Sequence, residues 1–270
     1  MAKFMEEELK KDDEVTTVEL QRILVRRFGV QVSPPTIRRY LRETLQWAVV
    51  RTRFGPMISE KNKLKRMEFA KVCLDTEDDF DNVIWSDESS VQLKRHSQTM
   101  RVKIGKERVL KPVAKHALKV HVWAGISKIG ATNICIFDQI MDAPLYVKIL
   151  EGFLLPFLEK VFQGKQYRFM QDNDPKHTSR VAKAFYEEKG INWWPTPASS
   201  ADINPIERVW RELKYFLARD VKPLTKQELV DGIKLFWAER MTPTKCTKYI
   251  EHTHVVLPKV VQQEGGITGE

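Results

Sequence analysis

From Val83 to Leu93 the chain reads Val-Ile-Trp-Ser-Asp-Glu-Ser-Ser-Val-Gln-Leu, rich in β-branched and aromatic residues and free of Gly and Pro, which predicts a strand. Two more strands are expected at Lys119 to Ile126 and Asn133 to Phe137, and then Tyr167 to Gln171 and Ile191 to Trp194, with helices over 144–162 and 178–189. Strands in a run, followed by alternating helix and strand, call for an α/β architecture in which helices pack on a mixed sheet. With 270 residues, 42% of them hydrophobic, the chain can bury such a core.

Ahead of this region the pattern is helical. Thr16 and Glu19 have capping-box spacing, Leu20, Ile23, Leu24 and Phe28 give an apolar stripe, and Gly29 ends the helix. After Val30-Gln31-Val32, Ser33 can cap a second helix whose first turn tolerates Pro34 and Pro35, with Ile37 and Leu41 facing inward. The acidic stretch from Glu6 to Glu14 can add a shorter helix beneath the pair. Ser33, Thr36, Arg38, Arg39 and Arg42 then lie on or beside the outward face, a set that suits a major groove and its phosphates. The same composition also suits a solvated arginine-rich helix. The expected division is a helix-turn-helix domain at 1–50, a linker and helix at 51–80, the α/β domain at 81–258 and a flexible tail at 259–270.

Lys and Arg outnumber Asp and Glu by 45 to 36, a formal charge of +9 that favours polyanionic partners. Cys73, Cys135 and Cys246 are odd in number and far apart, which argues against a disulfide framework or a zinc site. No apolar stretch approaches the roughly 20 residues that span a bilayer, so no membrane partner is expected. The N-terminus lacks an apolar signal core, which places the chain in the cytosol or nucleus.

Three carboxylates stand out against this basic background. Asp87 shares a strand face with Val83, Trp85 and Val91, where a charge is costly unless paired or bound to a metal, while Glu88 points to the other face. Asp172 directly follows the strand ending at Gln171, where open α/β sheets place ligands, although Asp172-Asn173-Asp174-Pro175 taken alone reads better as a turn. Glu207 falls third in a helix with Asn204 as N-cap and Pro205 first, so its local role is the returning half of a capping box. Converging, the three make an oxygen-rich cage for Mg²⁺ or Mn²⁺. Two such ions about 4 Å apart can activate a water or 3′-hydroxyl and stabilise the leaving oxygen at phosphorus. His177 can contact a phosphate, order the loop or simply hydrogen-bond the turn. Lys176 and Arg180 are candidate phosphate contacts, and Trp193-Trp194 suits a core better than a stacking platform.

Trp85-Ser86-Asp87-Glu88, Gln171-Asp172-Asn173-Asp174-Pro175-Lys176-His177-Thr178 and Asn204-Pro205-Ile206-Glu207-Arg208-Val209-Trp210 resemble the three signature blocks of Tc/mariner transposases. Between Asp172 and Glu207 lie 207 − 172 − 1 = 34 residues, the interval of the Tc branch, which selects Asp172 over Asp174. Val120 to Ser127, with Gly130 and Ala131, is similar to the strand and turn between the first two blocks, so the likeness covers roughly residues 16–257. The resemblance implies an RNase H-like catalytic domain preceded by a small all-α helix-turn-helix domain. It further implies Asp87, Asp172 and Glu207 as catalytic residues and ligands of two Mg²⁺ or Mn²⁺ ions, cleavage and strand transfer at terminal inverted repeats of double-stranded DNA, and a nuclear setting; it leaves a homodimer open. Family members carry two helix-turn-helix units, whereas one fits before residue 45 here, and Ala201 stands where proline is usual. The shortened N-terminal region motivates the alternative of a transposon-derived DNA-binding protein that no longer transposes.

Overall fold

The computed structural model describes residues 1–50, 55–93, 101–105, 107 and 118–269. The chain divides into two units, Met1–Phe54 and Gly55–Glu270.

The first unit holds α1 (Ala2–Lys11), α2 (Thr17–Phe28) and α3 (Pro34–Glu43). Thr16 caps α2 through a complete capping box: its hydroxyl accepts from the Glu19 amide at 3.2 Å, and its amide donates to the Glu19 carboxylate at 2.8 Å. Gly29 closes α2 in the left-handed region, at φ 64°, where a side chain would be strained. Ser33 caps α3 through the Thr36 amide. Met5, Leu9, Leu20, Leu24, Ile37 and Leu41 form the small core. Two details differ from expectation. The extra helix begins at Ala2, because Met5 and Leu9 supply the apolar face that the acidic stretch lacks. Phe28 lies at the rim, exposed, with its ring 5.2 Å from Phe4.

The second unit opens with α4 (Glu60–Asp75) and continues into a six-stranded sheet of β1 (Val83–Gln92), β2 (Lys119–Ser127), β3 (Gly130–Ala131), β4 (Cys135–Phe137), β5 (Arg168–Gln171) and β6 (Trp193–Pro195). The order is β3-β2-β1-β5-β6, with β4 also on β2. β2 runs antiparallel to β1, β3 and β4, whereas β1, β5 and β6 are mutually parallel neighbours. Gly125 of β2 has no room for a side chain: an added Cβ would lie 3.1 Å from Ile84 and 3.3 Å from Thr132.

Helices cover both faces. On one lie α5 (Ala143–Ile149), its continuation through π-turns and the short α6 (Leu155–Phe157) to Phe162, and α7 (Arg180–Lys189). On the other lie α8 (Ile206–Phe216), α9 (Lys226–Arg240), α10 (Pro243–Glu251) and α11 (Thr253–Gln262), packed with α4 against Trp85, Val91 and Val122. Trp194 belongs to this core, 5.7 Å from Trp85 and with the Arg168 guanidinium over its ring. The three cysteines are buried and unpaired.

The expected flexible tail from 259 is replaced by packed structure. Val260 is buried in α11, and Thr268 donates to Asp202 through both its amide and its hydroxyl. The cause is Arg66 of α4, fully buried, whose guanidinium needs acceptors and finds them in Asp202, Ser199, Gly265 and Gly266. For the same reason α4, the helix expected within 51–80, packs as part of the larger unit.

Candidate active site

Parallel pairing of β1 with β5 brings two of the carboxylates to one edge. Val83, Ile84 and Trp85 pair with Arg168, Phe169 and Met170, a constant offset of 170 − 85 = 85, and the same offset sets Asp172 beside Asp87 just past the last pair. Glu207 arrives on α8, whose start is tied to β1 because the Asn204 amide donates to the Ser86 carbonyl at 3.1 Å. This alters the expected cap. The helix begins at Ile206 with Pro205 in the cap position, and the Asn204 side-chain oxygen accepts from the Ile206 backbone amide. Glu207 is therefore the second residue of α8, and its carboxyl lies in hydrogen-bonding reach of Asp87.

Burial and then the neighbouring Glu207, with Glu88 and Asp172 behind it, push the Asp87 carboxyl well above its ordinary range. Burial also raises Glu207, against the opposing charges of Lys214 and Arg211 and the hydrogen bond from Asp87. Trp210, one turn along α8 from Glu207, donates its indole N–H to the Asp87 carboxylate at 3.1 Å, and Lys214 donates to Ser89 Oγ at 2.8 Å.

Asp172 is held differently. Its side chain is 59% exposed, against 2% for His177. Among the described residues both of its hydrogen bonds fall on Oδ1: His177 Nδ1 at 2.6 Å and the Asp174 amide at 3.1 Å. His177 Nε2 lies 2.9 Å from Glu88 Oε1, so Glu88, on the opposite strand face from Asp87, is paired rather than solvated. Burial would lower the His177 pKa, but hydrogen bonds to Asp172 and Glu88 and their charges outweigh it and raise it to about 9. Both ring nitrogens are thus engaged by carboxylate oxygens. Among the described residues, no three His, Cys, Asp or Glu side chains already form a metal cage, and Asp172 is engaged by His177 through one carboxylate oxygen.

Asp174 does local work: its carboxylate accepts from the Lys176 amide at 3.0 Å and holds the Lys176 ammonium at 2.7 Å. Lys176 is thus occupied by its neighbour. Arg180 is exposed at the start of α7. Ser33, Thr36, Arg38, Arg39 and Arg42 lie exposed in the first unit, with Ser33 Oγ 2.9 Å from Thr36 Oγ1 and Arg42 paired to Glu43.

Sequence reasoning missed Trp210 and left Lys214 unassigned. Their spacing from Glu207, three and seven positions along one helix face, was the available signal.

A family model for the DDE superfamily endonucleases matches residues 82–230, which is 230 − 82 + 1 = 149 of the 270 positions, and a Tc3-type helix-turn-helix transposase model matches residues 6–75. The transposase of element Tcb1 from Caenorhabditis briggsae is 34% identical over 191 residues, covering 67% of this chain and 70% of its own. The Tc1 transposase of Caenorhabditis elegans is 32% identical over 192 residues, covering 67% and 70%. Among solved structures, the mariner Mos1 paired-end complex with Mg matches with a TM-score of 0.82 at 16% identity, over 98% of this chain and 79% of that one. The isolated Mos1 catalytic domain matches at 0.63 and 15%, over 80% and 99%. The RNase H-like catalytic fold is therefore shared with Mos1, and the chain belongs to the DDE transposases of the Tc/mariner superfamily, on its Tc branch.

Proposed function

We propose that this transposase cleaves and joins DNA at transposon ends by divalent-metal-dependent phosphoryl transfer at Asp87, Asp172 and Glu207. The observation that carries the proposal is the gathering of Asp87, Glu207 and Asp172 at one sheet edge, three hard oxygen donors of which the two more buried, Asp87 and Glu207, are raised by burial and whose mutual repulsion a divalent cation would relieve. The donor set fits Mg²⁺ or Mn²⁺. Bound by these oxygens, two ions would supply Lewis-acid activation of the attacking oxygen and charge neutralisation at the leaving one. The Mos1 complexes solved with Mg and with Mn support that cofactor choice.

The chain's own residues orient and shield. Trp210 fixes one oxygen of Asp87, and the apolar wall of Trp85, Val91 and Trp210 keeps bulk water from that side. Lys214 and Arg211, on the helix that carries Glu207, are placed to meet a phosphate backbone. In the first unit, Arg38, Arg39 and Arg42 of α3 engage double-stranded DNA, with Ser33 and Thr36 at the helix start and Arg180 on the catalytic unit adding contacts. Joining two ends calls for two catalytic units, which a homodimer supplies, and chromosomal substrates set the work in the nucleus.

Nicking of a supercoiled plasmid carrying cognate ends, with Mg²⁺ present, tests the reading. Wild type cuts and Asp172→Asn does not. If wild type fails to cut, or Asp172→Asn cuts equally well, the catalytic reading is wrong. DNA affinity indifferent to Mg²⁺, strongly salt-dependent and without cleavage points instead to a binding protein.

A further inference from the structure

The Glu88–His177–Asp172 chain spans three parts of the fold. Glu88 lies in the middle of β1, His177 in the turn before α7, and Asp172 at the end of β5. The imidazole lies 2.9 Å from one carboxylate and 2.6 Å from the other, so both ring nitrogens are used. The ring is also wedged sterically. Its centroid is 4.2 Å from that of Tyr146, and the Tyr186 hydroxyl donates to the His177 carbonyl at 3.1 Å while receiving the side-chain amide of Gln171, the residue before Asp172. A turn that needed only a pin would be served by the backbone bonds from His177 and Thr178 to the Asp174 carbonyl, which are present.

We infer that Glu88 and His177 are a positioning pair, with Glu88 fixing the imidazole and the imidazole fixing Oδ1 of Asp172, so that the second oxygen is presented in one orientation for a metal ion. The inference rests on the reading of Asp172 as a metal ligand. It follows the general rule that a ligating group is oriented by a hydrogen-bonded partner behind it, whose loss costs about 10- to 100-fold in metal affinity or activity. Neither residue touches the reacting atoms in this account. Glu88 matters because without it the ring can rotate and the Asp172 carboxylate is free to turn.

The test is the affinity of the full chain for Mn²⁺ alone, by calorimetric titration, with metal-free DNA affinity and thermal unfolding measured alongside. His177→Phe preserves ring volume against Tyr146 and removes both nitrogens. It is expected to weaken Mn²⁺ binding about 10- to 100-fold with metal-free DNA affinity unchanged. Glu88→Ala should weaken it by a similar factor, and Glu88→Gln, which keeps an acceptor oxygen, should fall between Glu88→Ala and wild type. Should His177→Phe not fold, the two Glu88 variants decide. Mn²⁺ binding as tight as wild type in both Glu88 variants overturns the inference if Asp172→Asn has lost binding. If Asp172→Asn itself binds Mn²⁺ like wild type, the ligand role of Asp172 fails, and the pair's role goes with it.

Discussion

Arg66 is fully buried in α4 and forks onto both oxygens of Asp202 at 2.7 and 2.8 Å, with further bonds to the carbonyls of Ser199 at 2.6 Å, Gly265 at 2.9 Å and Gly266 at 3.0 Å. Arg66→Met keeps much of the aliphatic volume and removes every donor. It leaves a mostly buried carboxylate that, among the described residues, keeps Thr268, together with three carbonyls that lose the guanidinium. Removing one partner of a buried pair costs about 3–5 kcal/mol. For a unit of 270 − 55 + 1 = 216 residues, each kcal/mol lowers Tm by roughly 2–4 °C, so the expected drop is about 6–20 °C. Thermal unfolding followed by near-UV circular dichroism measures it. Arg66→Lys should recover little, because an ammonium cannot reproduce the planar fork. The double variant Arg66→Met/Asp202→Leu should be less destabilised than the sum of its single changes, since the orphaned carboxylate is gone. A drop below about 2 °C for Arg66→Met, smaller than the shift roughly 1 kcal/mol would produce, would refute the claim that this buried network holds the unit together.

Acid should act through the same pair and one other. Burial works to raise the Asp202 and Asp78 carboxyls, but hydrogen bonds from Arg66 and Arg168 respectively outweigh it and hold both below the ordinary range. A depressed folded-state pKa contributes stability that is present above the unfolded value and lost as pH falls through the folded one, so Tm should decline below about pH 4, and less steeply in Asp202→Asn. Asp174→Asn should cut plasmid within about tenfold of wild type, because it loses only a partly exposed pair with Lys176 worth up to about 1 kcal/mol; loss of cutting as complete as in Asp172→Asn would reassign the ligand. Arg39→Ala should weaken DNA binding evenly across sequences and lower the slope of log K against log salt by roughly 0.9, one phosphate contact's worth. An unchanged slope would remove Arg39 from the interface.

What was legible in the sequence is what is local or periodic. The capping box at Thr16, the Gly29 stop and the strand carrying Asp87 follow from neighbours within a few positions, and the structure has them. Asp172 and Glu207 were legible through spacing, but their partners were not. Local rules made Glu207 the return half of its own helix cap, whereas tertiary contact with β1 draws the Asn204 amide to Ser86 and leaves the Glu207 carboxyl to Asp87. The partner of Glu88 was not legible, because strand alternation says which face a side chain takes and not which loop folds over it. The tail looked flexible because its acceptors serve an arginine 199 residues away.

The route by which the strands meet sets an order on assembly. β5 joins β1 in parallel register, so the two aspartates become neighbours only after the intervening chain has crossed over. The loop that brings in Glu207 is fastened by Arg66, Asp202 and Thr268. A ribosome making this chain at about 5–20 residues per second completes the helical unit at residues 1–54 roughly 200 residues before Thr268, the last of these fastening residues in chain order. The growing polypeptide can therefore hold DNA-binding helices well before it owns a complete set of carboxylates, and a chain interrupted before Thr268 leaves the Glu207 loop short of one of its anchors.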